Sequence, residues 1–380
     1  MSDPSFTLGI EEEYHLVDRE TGELASEPPA ELLSECERRL QGRVGPEFLR
    51  SQIEVGTGVW QTVGEAGAEL AELRRVVVEV AAVHGLAPLA AATHPFSSWE
   101  QLRPTDKARY AQLSRDLEGV GRRLAICGLH VHVGLDDDDL RIDLMSQVAY
   151  FLPHLLALST SSPFWRGSPT GLKSYRIAVF NELPRTGLPT LFESWGEYQR
   201  HVDVLVRCGV IDDPSRIWWD VRPSFRFPTL ELRVTDVCTR LDDTLAIAAL
   251  FQCLLRMLWR LKRVNQRWRR YATMLIAENR WRAQRYGTDA GLIDFGRGEI
   301  VPYAALLEEI IALVREDAEA LGCLPQVEAA RQILVRGTSA HRQMALHRQA
   351  LAAGLPAAEA LRAVARSLIA ETAEGLTSVP

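Results

Sequence analysis

The stretch that most constrains this chain is GIEEEYHLVD, residues 9–18, with Glu11, Glu12 and Glu13 in a row. Its aromatic and β-branched flanks read as a strand. Side chains of a strand alternate faces, so Glu11 and Glu13 share one face and Glu12 takes the other. Two carboxylates about 7 Å apart on one face of an interior strand are costly unless a cation compensates them. A solvated edge strand would explain this stretch taken alone.

Three further segments repeat the pattern. In EFLRSQIEVGTG, residues 47–58, Ile53 and Val55 lie on one face and Gln52 and Glu54 on the other. In LAICGLHVHVGL, residues 124–135, His130 and His132 oppose Val131 and Val133. In TLELRVTD, residues 229–236, Glu231, Arg233 and Thr235 oppose Leu230, Leu232 and Val234. A solvated sheet face usually carries Lys, Ser, Thr and Gln. Here Lys is absent, and carboxylates and imidazoles dominate. Clustered carboxylates raise one another's pKa, and a divalent cation removes that penalty. Oxygen-rich donors without cysteine suit Mg²⁺ or Mn²⁺ rather than zinc. Carboxylate-held Mg²⁺ commonly serves a phosphate-bearing substrate, and Arg233 beside Glu231 suits a phosphate clamp. No GxxxxGK[ST] loop and no strand-linked GxGxxG occurs, so metals and arginines would have to hold a nucleotide.

The remaining chain frames an α+β protein. Helices are expected at about 29–40, 62–84, 105–122, 140–160 and 192–208, and a short buried strand at 88–95. The acidic run Asp136–Asp139 suits a helix N-terminus. Residues 161–190 read as a long functional loop carrying Arg166, Tyr175 and Arg176. Beyond residue 239 the chain reads as nearly all helix, at about 240–262, 266–285, 302–321, 325–336, 338–352 and 355–375. The 380 residues are 47% hydrophobic and 24% charged, an ordinary soluble composition. A net charge of −7 argues against general nucleic-acid binding. Six scattered cysteines without a CxxC pair suggest buried thiols in a reducing compartment. With neither a signal-peptide pattern nor a long uncharged apolar run, the expectation is a cytoplasmic protein off the membrane.

Six segments keep a specific order: GIEEEY, IEVGTG, ICGLHVHVG, SSPFWRG…SYR, DVRPSFRFPTLELRVTD and ENRWRAQRYG. Together, over about residues 6–370, they make the chain resemble the bacterial type 2 glutamate–cysteine ligase-like carboxylate–amine ligases. The resemblance implies a glutamine synthetase-like fold: a curved, mainly antiparallel sheet funnel with helices outside. It implies one catalytic domain over 1–380, strand-rich to residue 238 and helical from 239. It also implies ATP-dependent activation of a carboxylate, typically the γ-carboxylate of glutamate, as an acyl phosphate that an amine such as cysteine captures. By position, Glu11, His130 and Glu231 would hold the metal bridging the ATP phosphates. Glu13 and Glu54 would hold the metal nearer the acyl phosphate, with Glu47 a looser match, and Arg233 would stabilise the transferring phosphoryl group. His132 is open between ligand, substrate contact and filler. Arg166, Tyr175, Arg176, Arg222 and Arg226 are candidates for substrate or nucleotide contacts. Asn279, Arg280 and Trp281 fit a structural role at least as well. Similar proteins suggest a homodimer, while the stripe Leu361, Val364, Leu368 could equally pack internally. Two other readings use the same cluster: a metal-dependent hydrolase, and a non-catalytic MgATP-binding relative.

Overall fold

The structure, a computed structural model, describes residues 3–376. Met1 and Ser2, used above in reading the N-terminus, lie outside them. Strands occupy Leu8–Asp18 (β1), Val44–Pro46 (β2), Gln52–Gly56 (β3), Leu86–Leu89 (β4), Leu129–Gly134 (β5), Phe164–Trp165 (β6), Ser168–Pro169 (β7), Thr186–Gly187 (β8), Trp218–Trp219 (β9), Val221–Pro223 (β10), Thr229–Leu232 (β11), Leu292–Asp294 (β12) and Glu299–Val301 (β13). The first five, with β10 and β11, form a seven-stranded sheet in the order β10-β11-β5-β1-β3-β2, and β4 also pairs with β1. Every pairing in that sheet is antiparallel. β10 and β2 sit at its edges and carry Pro223 and Pro46, where a missing N–H costs no interior ladder bond.

Helices are Ala30–Leu40 (α1), Val63–Val83 (α2), Ala108–Arg122 (α3), Asp138–Val148 (α4), Leu152–Ser159 (α5), Tyr175–Phe180 (α6), Trp195–Arg207 (α7), Leu241–Arg263 (α8), Thr273–Tyr286 (α9), Tyr303–Ala320 (α10), Leu324–Arg336 (α11), Ser339–Ala352 (α12) and Ala357–Thr372 (α13). Asp137 caps α4 by accepting from Leu140 N at 2.8 Å, as the acidic run led one to expect. α8 is long and apolar enough to cross a membrane by length and composition alone, but 72% of its apolar window is buried inside the protein. It packs against α2, α4, α5, α10 and α11. Leu361, Val364 and Leu368 pack internally, in a cluster with Val17, Leu89 and Phe164.

Several elements differ from expectation, each for a local reason. The segment 47–58 is not one strand. The chain turns over 47–51, closed by Gln52 N donating to Leu49 O, and only then enters β3. The stretch 88–95 leaves the ladder at Leu89, and residues 161–190 contain the β6–β7 hairpin and α6 rather than one open loop. The second C-terminal helix starts at Thr273, and β12–β13 interrupts the helical third. The regular pairing of 229–236 breaks after Leu232. Leu232 pairs with Val131, yet Asp236 pairs with Gly128, so four steps on one chain face three on the other. The extra residue is a β-bulge at Arg233-Val234.

One face of the sheet packs on α2 and α8, and a charge sits within it. Glu12 is fully buried on the face that holds Ile10 and Tyr14. Arg74 of α2 grips both its oxygens, Nε to Oε2 at 2.7 Å and Nη2 to Oε1 at 2.6 Å. Tyr14 and Thr244 hydroxyls donate to the same carboxylate. Arg74 also donates to Cys238 O and Thr239 O, both at 2.9 Å. The pair thus ties β1 to α2 and to the entry of α8. Removing one partner of such a pair leaves a buried charge uncompensated. Glu12→Gln should therefore lower unfolding stability by about 3–5 kcal/mol in chemical denaturation. A loss below about 1 kcal/mol would mean the pair is not a determinant of the fold.

His94, buried beside β4, fixes a turn by a specific tautomer. Its Nε2 lies 2.7 Å from Gly22 O, while Nδ1 accepts from Ser97 N at 3.0 Å and Phe96 N at 3.3 Å. That pattern needs the neutral ring, with the proton on Nε2. Burial pushes its pKa down to about 4. A depressed histidine contributes stability that is present above its unfolded value, near 6.5, and lost as pH falls toward 4. Stability should fall across that window, and His94→Gln should flatten the fall. An unchanged pH slope in the variant would remove His94 from the account.

Candidate active site

The other face of the sheet lines a cleft of about 520 Å³. Register builds its floor. Glu11 on β1 faces His130 on β5, Glu13 faces Glu54 on β3, and His132 faces Glu231 on β11, which in turn faces Arg222 on β10. Directly opposed side chains lie within reach of one another, so five strands together project one polar face. Glycines leave room for it. Gly9 stands opposite His132 and Gly56 opposite Glu11. A Cβ on Gly128 would lie 2.5 Å from Arg176 Nη2 and 3.1 Å from His130 Nε2.

Among the described residues, two groups of donor atoms lie close enough to hold a cation, Glu11–Glu54–His130 and Glu13–Glu47–Glu54, the atoms of each within 4.8 Å of one another. Glu54 belongs to both. Glu47 reaches Glu54 because the turn at 47–51 resets the strand phase; an unbroken strand would have sent it to the apolar face. Phe48 N donates to Glu47 Oε2 at 2.9 Å and orients it. Crowding leaves its mark on ionisation. Burial and the charge of Glu47 push the Glu13 carboxyl up to about 8. Burial, with the charges of Glu47, Glu11 and Glu13, pushes Glu54 well above the ordinary carboxylate range. Burial also raises Glu47.

The histidines present unsatisfied nitrogens to the same space. His130 Nδ1 lies 3.3 Å from Glu11 Oε2, and His132 Nδ1 lies 2.9 Å from Thr229 Oγ1. Nε2 of each is buried without a hydrogen-bond partner. Burial pushes His130 down to about 4, with the charge of Arg233 adding to the effect. A neutral imidazole with Nδ1 held by a carboxylate and Nε2 open is the form that ligates metal. Oxygen-dominated groups with one imidazole and no sulfur fit Mg²⁺ or Mn²⁺.

Glu231 lies outside both groups. Its oxygens accept from Arg222 Nε at 2.9 Å, from Arg222 Nη2 at 3.2 Å and from Arg233 Nη1. Burial opposes its ionisation, yet Arg233 and Arg222 hold it well below the usual carboxylate range. Arg222 is spent on structure, since Nη1 also donates to Ser215 O and Ile217 O. Arg176 reaches the cleft from α6, not from a mobile loop, and is buried. Arg226 lines the mouth between the exposed Phe225 and Phe227. Arg166 and Tyr175 are not brought to the cleft. Arg166 turns the β6–β7 hairpin at a φ of 50° and pairs with Glu100 at 3.2 Å, and Tyr175 packs on Trp165. Asn279 bonds Ile293 through both its amide atoms, and Trp281 is exposed. Lining residues absent from the sequence reading are mainly apolar, among them Phe180 and Trp218. Only three-dimensional placement separates such residues from ordinary core.

Comparison with known proteins follows this geometry. The family model described as glutamate-cysteine ligase family 2 matches residues 7–366. A Rhodospirillum rubrum protein named "Putative glutamate--cysteine ligase 2" is 62% identical over 376 residues, covering 98% of this chain and 97% of that one. A Jannaschia sp. protein of the same name is 55% identical over 368 residues, covering 97% of each chain. Among solved structures, the glutamate–cysteine ligase of Francisella tularensis in complex with AMP matches with a TM-score of 0.69 at 14% identity, over 100% of this chain and 91% of that one. A bifunctional glutathione synthetase from Pasteurella multocida matches with a TM-score of 0.68 at 16% identity, over 97% of this chain and 53% of that one. The structural likeness is one of fold; the sequence matches, nearly end to end, make the chain a member of glutamate–cysteine ligase family 2.

Proposed function

We propose that the protein is an ATP- and Mg²⁺-dependent carboxylate–amine ligase that joins the γ-carboxylate of glutamate to an amine such as cysteine. The observation that carries this reading is the pair of oxygen-rich donor groups sharing Glu54, with Arg233 bonded to Glu231 in the same cleft. Bound divalent cations would neutralise phosphate charge during transfer. Glu11, His130 and Glu54 would hold one of them, with Glu231 joining that set by family position. Glu13, Glu47 and Glu54 would hold the other. Mn²⁺ would serve the same donors.

In the first step a carboxylate oxygen of glutamate bonds to the γ-phosphorus of ATP, and the bond from that phosphorus to the ADP oxygen breaks. In the second the amine attacks the acyl carbon and phosphate leaves, so ADP and phosphate are the products. Phosphoryl transfer asks the protein for positioning and charge neutralisation rather than covalent help. Arg233 would meet charge on the transferring group, and Glu11 would keep His130 Nε2 aimed into the site. Arg176, on the Glu13 side, and Arg226, at the mouth, are cleft arginines that could meet substrate carboxylate or nucleotide.

Two measurements test this reading. ADP release from MgATP should need both glutamate and an amine, with cysteine first in the panel. Glu11→Gln, Glu54→Gln or Glu231→Gln should lower it on the order of 10²–10³-fold. ADP release independent of any amine, or near-native turnover in these variants, would overturn the assignment.

Ligand crowding gives the second. In EDTA, Glu54→Gln should melt higher than the unaltered protein, by roughly 2 °C or more, because it removes a buried like charge. Mg²⁺ or Mn²⁺ should raise the melting temperature of the unaltered protein and leave the variant nearly unmoved. Equal metal responses would exclude Glu54 as a ligand.

A further inference from the structure

The bulge in the strand that carries Glu231 and Arg233 is held from both sides. The N–H groups of Arg233 and Val234 both donate to Asp220 O, at 2.8 and 3.0 Å. Arg176 takes the carbonyls of the same two residues, Nη2 to Arg233 O at 3.2 Å and Nη1 to Val234 O at 3.4 Å. A bulge re-aims one side chain relative to the regular pleat, and such re-aiming recurs beside active sites. Arg233 keeps the cleft face that it shares with Glu231, and the residue opposite the bulge is Asp220.

Asp220 is fixed in turn by an arginine distant in sequence. Its carboxylate is 1% exposed. Arg280 of α9 grips it with Nε to Oδ2 at 2.5 Å and Nη2 to Oδ1 at 2.9 Å. The same Nη2 donates to Asn181 Oδ1 at 3.0 Å. Asn181 closes α6, the helix that carries Arg176. One guanidinium therefore ties together the residue that holds the bulge N–H groups and the helix whose arginine holds its carbonyls. Asn279, beside it, bonds Ile293 N and O at 2.7 and 2.8 Å, which locks α9 against β12. The run ENRW, which no step of the reaction uses, has an anchoring geometry.

We infer that Arg280 is a positioning residue that sets the reach of Arg233 into the cleft, acting through Asp220 and the bulge. The inference rests on the reading that Arg233 meets the transferring phosphoryl group. A shift of about 1 Å at a catalytic group can cost on the order of 10²-fold. Arg280→Met should therefore lower kcat by roughly 10- to 100-fold, with the KM values for ATP and glutamate moving by less than about threefold, because Arg280 is not among the residues that line the cleft. Arg280→Lys should recover only part of the loss, since an ammonium cannot span both Asp220 oxygens and Asn181.

The decisive experiment is a double-mutant cycle between positions 233 and 280. If Arg280 acts through Arg233, adding Arg280→Met to Arg233→Met should cost less than about twofold in kcat. Equal proportional losses in both backgrounds, or an unchanged kcat in Arg280→Met, would overturn the inference. Should Arg280→Met fail to fold, Asp220→Asn takes its place in the same cycle, because it keeps the backbone carbonyl and weakens only the grip. The cycle is also read on the Kd for Mn²⁺ and a non-hydrolysable ATP analogue. If the unaltered protein releases no ADP with any substrate pair, the ligase reading fails, and coupling in the Kd cycle alone sustains the inference. Additive Kd effects, or no nucleotide binding at all, would overturn it as well.

Discussion

Like-charge repulsion is the constraint on which this structure turns. Glu13, Glu47 and Glu54 point into one small space, and Glu11 adjoins them. In water such groups would ionise freely. On the floor of the cleft, burial and mutual repulsion push Glu13, Glu47 and Glu54 above the ordinary carboxylate range, while His130 and His132, against the effect of burial, hold Glu11 below it. An arrangement like this persists only if the surrounding fold over-determines it. The sheet does so by register. Glu11, Glu13 and Glu54 are fixed by a backbone ladder that is itself packed, on its reverse side, against α2 and α8, and Glu47 by the turn that leads into β3.

β1 shows how one strand serves both purposes. On its packed face Glu12 is buried, and its carboxylate receives donors from Arg74, Tyr14 and Thr244. On its cleft face Glu11 and Glu13 carry fewer donors and stand among other carboxylates and the open Nε2 atoms of two histidines. A fully satisfied buried polar network rigidifies a fold, whereas an under-satisfied one marks a place where a further partner is expected. The three consecutive glutamates thus divide by parity into architecture and chemistry.

That division was legible in the sequence, because period-two alternation is a property of any strand. So were the cleft residues on β3, β5 and β11, and the α+β frame. Phase was harder to see. A turn at 47–51 and a bulge at 233–234 each shift the alternation by local backbone geometry that no composition signals. The first brought Glu47 beside Glu54, and the second turned the backbone of Arg233 and Val234 toward Asp220 and Arg176. Arg74 escaped notice for a different reason. It sits amid Leu70, Leu73, Val76 and Val77 on α2, and nothing local distinguishes a buried arginine from a solvated one until its carboxylate partner is placed opposite.

The arginines show most clearly what the third dimension adds. By residue type Arg176, Arg222, Arg226, Arg233 and Arg280 are equivalent candidates for an anionic ligand. Their hydrogen bonds separate them. Arg222 spends Nε, Nη1 and Nη2 on Glu231 and two carbonyls, and Arg280 spends its own on Asp220 and Asn181. Arg176 is committed at both terminal nitrogens to the bulge, while its Nε is buried without a partner. Arg233 bonds Glu231 through Nη1, while its Nε is buried without a partner. A guanidinium whose donors are taken up by protein orients other groups; one with a donor unspent, beside clustered carboxylates, can still gain a bond when an anion arrives. By that criterion Arg222 and Arg280 build the site, while Arg233, and Arg176 through its Nε, each keep a donor to act in it.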